Sequence, residues 1–400
     1  MPKRSSKLTR SGSFPALAPT QAAKPTTVVQ VVGHQHAAAI PQWISPDRFE
    51  PYLRHAGHDR DKACELYEWA AELNSAAFQA IHYVEVILRN AIDLQLQKRR
   101  NEDAAKIPWF LTPLGSDNKS QQEIDYAVAQ VRERLRKVDK RKDTRAQIVA
   151  GLTFGFWANL LQTRHEDLWR STIRHAFPRS SGNRSDVAPI VFKLRTFRNR
   201  LAHHDSLLAV DVPFQINQMI TLLDWIDEDA AHWLRSTEKA TAVHAQRPFA
   251  RNDTVVVAGA DAWPLYQKVH AYVCQPGRAF QPVEHLAFYT ARAIQPEIPV
   301  IRERIDNVDW TTAESRRRRA TGDPKDQRLA DIIDQSIADG WTGGRYQVFL
   351  LSAPGDTGHH TRRSTIPHTA PPGRGQAYTQ GQRYAVRQKL ISARTTSDLT

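Results

Sequence analysis

One short stretch of the chain combines residue types and spacings that suit acid-base chemistry on a phosphodiester. It is LRTFRNRLAHHD, residues 194–205, which contains Arg198, Asn199 and His203. Asn199 and His203 are four residues apart, so on a helix they share one face and can reach one ligand. Cleavage of RNA by its own 2′-hydroxyl needs a proton carrier active near neutral pH and a fixed cation for the phosphorane oxygens. Histidine and arginine supply these two groups, and this chemistry requires no metal ion.

Arg198 lies at a position on the helical wheel where a charge needs a partner. The apolar residues around it form one stripe roughly 120° wide, made of Val187, Ile190, Val191, Leu194, Phe197 and Leu201. Arg198 falls inside this stripe, and a buried guanidinium without an acidic partner or a polar cleft is strongly destabilising. Arg198 is about 140° from His203 on an ideal helix. The two side chains therefore converge only if the helix ends or kinks after Ala202, or if a second copy of the chain completes the site.

The same residues also have a purely structural interpretation. Arg195, Arg198 and Arg200 would then form surface or interhelical salt bridges, and His203 and His204 would interact favourably with the helix C-terminus. Matches to so short a pattern are common by chance. The pattern therefore has to be considered together with the rest of the helical region.

Three blocks resemble, in the same order, the Abi-like (abortive-infection) family of the HEPN superfamily over about residues 45–235. They are YVEVILRNAI at 83–92, LTFGFWANLL at 152–161 and LRTFRNRLAHHD at 194–205. The last block agrees with the superfamily signature, in which a polar residue follows an arginine and a histidine comes four to six residues after it. The resemblance implies that Arg198 and His203 form the catalytic pair of a metal-independent endoribonuclease and that Asn199 is the polar residue. It also implies dimers whose two motif helices face each other across a cleft.

The resemblance also implies a supporting role for several other residues of these blocks. Glu85 and Arg89 match the family's E…LRN block, and Glu85 either holds a motif arginine or forms only an i, i+4 pair with Arg89. Arg195 and His204 flank or adjoin the catalytic pair. The second block contains an aromatic cluster whose helical spacing favours a core position over a base-stacking platform. This cluster consists of Phe154, Phe156 and Trp157.

Composition and apolar periodicity divide the chain into four segments. Residues 1–40 hold five basic residues and no acidic ones, and this composition predicts a disordered basic arm. A transit peptide has a similar composition, but three prolines would interrupt its amphipathic helix. Residues 41–240 show helical spacing almost throughout, which predicts an all-α bundle, and the resemblance makes it HEPN-like. Short β-rich runs over 250–354 predict a smaller α+β domain of unknown role, and the composition of 355–400 predicts a loop-rich tail.

The clearest predicted elements are one long helix, or two in line, over 66–92, a charged helix over 124–138 and the motif helix from Val187 onward. Further helices are expected at 145–161, 166–177 and 213–235. In the C-terminal domain, strands are expected at 254–258, 270–275, 285–290 and 346–353, with one helix near 326–338.

The charge balance of the chain favours a polyanionic partner. With 55 Lys and Arg against 42 Asp and Glu, the formal net charge is +13 and the isoelectric point is about 9.8. This balance suits RNA or an anionic surface, unless the surface is passively basic. No apolar run is long enough to span a bilayer, so a cytoplasmic protein is expected. The predicted phosphate contacts are Arg200 and the RRRR run of Arg316, Arg317, Arg318 and Arg319.

The sequence therefore predicts an RNA-cleaving toxin or phage-defence protein of the HEPN type, homodimeric and without a cofactor. No HxxxH, paired carboxylates or Cys/His cluster lies near residues 194–205, and Cys64 and Cys274 are far apart, so no metal site is expected. The C-terminal domain is expected to recognise an antitoxin, a trigger or RNA. The alternative is a non-catalytic RNA-binding or scaffolding HEPN protein, which keeps the fold and lacks the chemistry.

Overall fold

The computed structural model describes residues 40–101, 105–114, 118–249, 252–341, 343–369, 377–379 and 381–399. Helices make up most of this chain, and a smaller sheet-containing part lies at its C-terminal end, as the sequence predicts. The predicted N-terminal arm falls outside the described residues, except for Ile40. None of the helices in these ranges has the length and apolar character needed to cross a membrane.

The helical part contains long helices joined by short ones. Its helices are α1 Ile40–Ile44, α2 Pro46–His55, α3 Arg60–Arg100, α4 Asn118–Val138, α5 Arg145–Gly151, α6 Phe154–Asn159, α7 Glu166–Ser171, α8 Arg184–Ala202, α9 Val212–Ile226, α10 Glu228–Thr237 and α11 Ala240–Ala245. Short 3₁₀ turns lie at Trp109–Leu111, Lys140–Lys142, Thr163–His165 and Ile173–Ala176. The helix expected over 145–161 is divided into α5 and α6, because Thr153 leaves the helical conformation and caps a new helix.

Helix α3 forms the axis of the helical core. Its buried residues recur mostly at three- and four-residue steps from Ala63 to Leu96, and it packs against α2, α8, α9 and α11. Asp59 caps its N-terminus by accepting a hydrogen bond from the backbone N–H of Lys62. The helix ends at Asn101, whose backbone adopts the left-handed conformation. A long helix fixed in this way can hold side chains of a site at defined positions relative to α8.

The apolar stripe of the motif helix α8 is part of the same core. Its six residues are at most 5% exposed, and α3, α6 and α9 are the helices that pack against α8. The stripe is therefore covered within a single chain. Any pairing of two copies therefore has to use another face.

The C-terminal part contains three small sheets in the described residues. The strands are β1 Thr254–Ala258, β2 Ala271–Cys274, β3 His285–Thr290, β4 Ala293–Ile294, β5 Glu297–Ile298, β6 Ile301–Asp309, β7 Arg345–Leu351, β8 His360–Thr361, β9 Ile366–Pro367 and β10 Gln382–Ala385. The helices are α12 Ala262–Val269, α13 Thr312–Ala320, α14 Pro324–Ala338 and α15 Arg387–Ser392, with a 3₁₀ turn at Thr396–Leu399. The sheet orders are β10-β1-β3-β4-β9, β2-β7-β6 and β5-β8. Strands β1 and β3 are parallel, and the other pairs are antiparallel.

The segment predicted as a loop-rich tail contributes to this part of the fold. Strand β10 pairs with β1, with Ala385 opposite Thr254, and Ile366 and Leu390 are fully buried in one apolar cluster. The described residues of 355–400 therefore belong to the C-terminal fold. Their strands are short, since β8 and β9 span two residues each, and strands of this length leave little alternation for a sequence pattern to show.

Strand β6, which the sequence pattern did not indicate, joins the C-terminal part to α8. Its pairing with β7 is shifted twice, and the second shift forms a bulge at Asp306 and Asn307. Asn307 has a positive φ of 60°, and its amide donates to the backbone oxygen of Ser185 at 3.0 Å. Asp306 pairs with Lys193. The bulge thus directs two polar side chains of the sheet toward the motif helix.

The buried carboxylate of Asp93 gives a prediction about the stability of the helical core. Asp93 is 6% exposed and accepts hydrogen bonds from Trp109 Nε1 at 2.7 Å and Arg145 Nη2 at 2.8 Å. Asp93→Ala removes the acceptor that these donors share, so we expect the free energy of unfolding to fall by about 3 kcal/mol. Asp125→Ala, at an exposed carboxylate bound by Gln121, should change it by less than about 0.5 kcal/mol. Urea denaturation of both variants measures the difference, and equal effects would contradict the role of Asp93.

Candidate active site at the C-terminal end of helix α8

An ion pair joins the motif helix to the long helix α3. Arg198 Nε lies 3.3 Å from Glu85 Oε2, with the two side chains 32% and 22% exposed. Glu85 is therefore the acidic partner that the position of Arg198 requires. Arg89 donates instead to Asn90 Oδ1 at 3.3 Å and to the Ala150 oxygen at 3.5 Å. Of the two arrangements that the sequence left open for Glu85, the structure has the pair with the motif arginine.

This ion pair occupies one nitrogen of the guanidinium and leaves the other two open. Glu85 binds Nε, whereas Nη1 and Nη2 of Arg198 have no hydrogen-bond partner among the described residues. Because paired N–H groups of arginine match two oxygens of a phosphate, the open groups suit an anionic ligand. The carboxylate thus holds the arginine in place without saturating it.

Helix α8 ends after Ala202, as convergence of the catalytic pair within one chain would require. The backbone N–H groups of His204 and Asp205 bond back to carbonyl oxygens of the last helical turn at 3.1 and 3.0 Å, the pattern of a Schellman motif. His204 has a φ of 54°, a left-handed conformation that glycine usually occupies at this position. The chain therefore turns sharply at the two histidines.

His203 and Asn199 present their side chains to solvent at this end of the helix. Both are exposed, and neither side chain has a hydrogen-bond or ion-pair partner in the part of the chain that the structure describes. An imidazole without a fixed partner can exchange protons with a ligand. Within one chain, the structure does not bring Arg198 and His203 into hydrogen-bond contact.

Contacts that the sequence did not indicate hold the end of α8. Arg48 of α2 donates through Nη2 to the carbonyl oxygen of His204, and Asn74 of α3 donates to the Leu201 oxygen at 3.4 Å. Both contacts lie at a helix end, where carbonyl groups lack intrahelical partners. Residues this far apart in sequence carry no spacing signal, so only the fold shows them to be neighbours.

The second sequence block meets the motif helix through Arg195. Nη1 of Arg195 donates to Asn159 Oδ1 at 3.0 Å. Phe154 and Trp157 are 1% and 0% exposed, which confirms that these two aromatic residues belong to the core. The motif block therefore contacts both other blocks, the first through Glu85 and the second through Asn159.

Most arginines of the RRRR run are engaged in ion pairs. Arg317, Arg318 and Arg319 each pair with one or more carboxylates of α13 and α14. Arg316 is exposed and makes no ion pair within the described ranges. Arg200 donates to a backbone oxygen at 3.2 Å. Phosphate binding by Arg200 and the RRRR run stays a prediction. Within the run, Arg316 is the arginine without an ion pair in the described residues.

Metal ligands and reactive thiols do not adjoin the motif. Among the described residues, the His, Cys, Asp and Glu side chains form no group of three or more that could hold a metal ion. Cys64 and Cys274 are both free and buried, and burial raises the pKa of the Cys274 thiol to about 11. The candidate chemistry therefore rests on Arg198, Asn199 and His203.

Comparisons with known proteins do not assign the chain to a family. No family model, no curated protein and no solved structure matches it. The resemblance to Abi-like proteins therefore rests on the three sequence blocks, and the chemistry rests on the geometry of the site.

The left-handed conformation of His204 gives a prediction about stability. A non-glycine residue in this conformation destabilises a fold by about 1–2 kcal/mol, whereas glycine loses more backbone entropy on folding, roughly 0.5–1 kcal/mol. We therefore expect His204→Gly to raise the free energy of unfolding by about 0.5–1 kcal/mol. His203→Gly, at an ordinary φ of −89°, should lower it. Thermal denaturation compares the two variants, and the opposite order would show that the turn is built differently.

Proposed function

We propose that this chain is a metal-independent endoribonuclease of the HEPN type, with a role in a toxin or phage-defence system. The observation that carries the proposal is the arrangement at the end of α8. There, Glu85 fixes Arg198 with two nitrogens unoccupied, and His203 stands exposed where the helix ends. The contacts of the motif block with both other blocks of the Abi-like resemblance add support.

The proposed reaction uses a hydroxyl of the RNA itself as the nucleophile. His203 accepts the proton of a ribose 2′-hydroxyl, whose oxygen attacks the adjacent phosphorus. The bond from phosphorus to the 5′-oxygen breaks, and the protonated imidazole returns a proton to that leaving oxygen. Arg198 binds the non-bridging oxygens, where negative charge develops in the transition state. The products are a 2′,3′-cyclic phosphate and a 5′-hydroxyl, and Asn199 is placed to hydrogen-bond the same phosphate or ribose.

A composite site formed by two chains follows from the angle between Arg198 and His203. An ideal helix would separate the two side chains by about 140°, and the structure does not bring them into hydrogen-bond contact although α8 ends after Ala202. We therefore expect Arg198 of one copy and His203 of another to meet across a cleft. With the apolar stripe buried, the pairing surface is the exposed end of α8 and the adjoining face of α3. Phe78, which is 39% exposed, lies on that face between Asn74 and Glu85, both of which contact α8.

The C-terminal part is suited to a recognition role in this proposal. Its strand β6 contacts α8 through Asp306 and Asn307. Binding of an antitoxin, a trigger or RNA to this part would therefore act on the helix that carries the site. The excess of basic residues in the chain favours RNA as the substrate.

RNA cleavage by the purified full-length protein tests the proposed chemistry. With total tRNA and ribosomal RNA as substrates, Arg198→Ala and His203→Ala should each lower the cleavage rate at least about a hundredfold. Arg235→Ala and His232→Ala are matched controls at exposed positions of α10 and should leave the rate unchanged. Cleavage should continue in excess chelator, yield 2′,3′-cyclic phosphate ends, and stop on a substrate that is 2′-deoxy at the target nucleotide.

Three outcomes of these assays count against the proposal. Complete loss of activity in chelator, or cutting of the 2′-deoxy substrate, would indicate a metal-dependent nuclease. RNA binding by the wild type without any cleavage, and without change in His203→Ala, would favour the non-catalytic RNA-binding or scaffolding alternative. Circular dichroism of each variant checks that its helical content matches that of the wild type.

The composite site gives a prediction about oligomeric state. Light scattering of the full-length protein should report twice the 45.4 kDa mass of one chain. Phe78→Glu should report the mass of one chain, because a charge without a partner opposes burial at the pairing face. Val138→Glu, at another apolar side chain that is 69% exposed, should leave the mass unchanged. A strictly monomeric wild type at micromolar concentrations would rule out a site built from two chains.

A further inference from the structure

A cleft of about 630 Å³ lies between the helical part and the C-terminal part. Helix α9 and the first turns of α8 contribute one wall, and β6, α13 and α14 contribute most of the other. The cleft touches α8 at Asp186 and Ile190, whereas Arg198 lies eight residues beyond Ile190, which is about 12 Å on a helix. The cleft is therefore a different site from the candidate active site.

Gln218 of α9 lines this cleft with an amide that has no partner. The residue is 6% exposed, and its Oε1 is buried without a hydrogen bond. Its amide nitrogen also makes no hydrogen bond within the described part of the chain. A buried polar group without a partner destabilises a fold. In the wall of a cleft, such a group indicates a ligand that supplies the missing hydrogen bonds.

An indole ring lies on the same face of α9, two turns along the helix from this amide. Trp225 follows Gln218 by seven residues, so the two are about two turns apart, and both line the cleft. The tryptophan is half-buried, and its Nε1 has no hydrogen-bond partner among the described residues. An aromatic ring and an amide that line the same wall of a cleft suit a planar heterocycle, which stacks on the ring and hydrogen-bonds to the amide.

The charges around the cleft neutralise one another. Six basic and seven acidic residues line it. Each of the six basic side chains is paired with a carboxylate, as Arg318 is with Asp326 at 2.6 Å. The described wall therefore keeps no cation without a carboxylate partner, which disfavours a phosphate in the part of the ligand that is held there.

We propose that this cleft binds an adenine base, with the edge of the base on Gln218 and its face on Trp225. A glutamine amide matches adenine in two hydrogen bonds, because its oxygen accepts from the N6 amino group and its nitrogen donates to N7. The terminal torsion of glutamine is broad, so rotation of the amide turns both atoms toward the ligand. The base belongs to a free nucleoside or to an RNA strand, and the ion-paired wall favours the nucleoside.

Calorimetric titration of the full-length protein with adenosine tests this site. The wild type should bind one adenosine per chain, and Gln218→Leu should weaken binding about tenfold to a hundredfold, as expected for the loss of buried hydrogen bonds. Gln215→Leu is the matched control, because Gln215 lies on the same helix, has a buried Oε1 without a partner and does not line the cleft. Trp225→Ala should weaken binding independently of Gln218. Neither leucine variant removes a hydrogen bond of the described fold, so both should melt at or above the wild-type temperature.

A 2′-O-methyl tetra-adenylate distinguishes the two sources of the base, because 2′-hydroxyl chemistry cannot cut it. Tighter binding of the tetranucleotide than of adenosine, with sensitivity to Gln218→Leu, would assign the base to an RNA strand. No binding of either probe at millimolar concentration, or equal binding by the wild type and Gln218→Leu, overturns the proposal. The titrations involve no RNA cleavage, so their outcome is independent of the proposed function.

Discussion

The ion pair between Glu85 and Arg198 is the constraint on which the rest of the candidate site depends. Arg198 stands beside buried apolar residues of α8, and its charge cannot be removed at any ordinary pH, so it has to be neutralised in place. Glu85 does this from α3, whose position is fixed by its own buried stripe. Because the carboxylate binds only Nε, the other two nitrogens stay available to a ligand. The same contact therefore joins two helices of the core and orients the cation.

The C-terminal part also contacts the motif helix α8 and the start of α9. The contacts are Asp186 with Arg345, Lys193 with Asp306, and Asp211 with Arg304. Arg304 is 9% exposed and lies 3.8 Å from the centre of the Phe214 ring. The guanidinium of the Arg304–Asp211 ion pair is therefore largely shielded from water. Because the first two contacts lie at the start and in the middle of α8, a displacement of the sheet would act on this helix.

Long unbroken patterns made some elements predictable from sequence. The strand at 254–258 has the predicted bounds, and α3 contains the whole helix predicted over 66–92. Strand β6 was missed because charged residues and two register shifts hide its alternation. The sequence named Glu85 and Arg198 but left two partners open for the carboxylate, since only the packing of α3 against α8 decides between them. The contacts of α2 with the turn after α8 gave no signal, because they join positions far apart in the chain.

Electrostatics sets a condition on the proposed pairing of two chains. The end of α8 carries Arg198 and Arg200, and two such ends that face each other repel unless anions lie between them. Glu85 offsets one of these charges in each copy, and Asp205 is exposed beside the histidines. In the proposed dimer, a bound phosphodiester supplies further negative charge at the same place. By linkage, RNA binding and pairing of the chains would then strengthen each other by the same factor, so in this proposal the substrate helps to assemble the site.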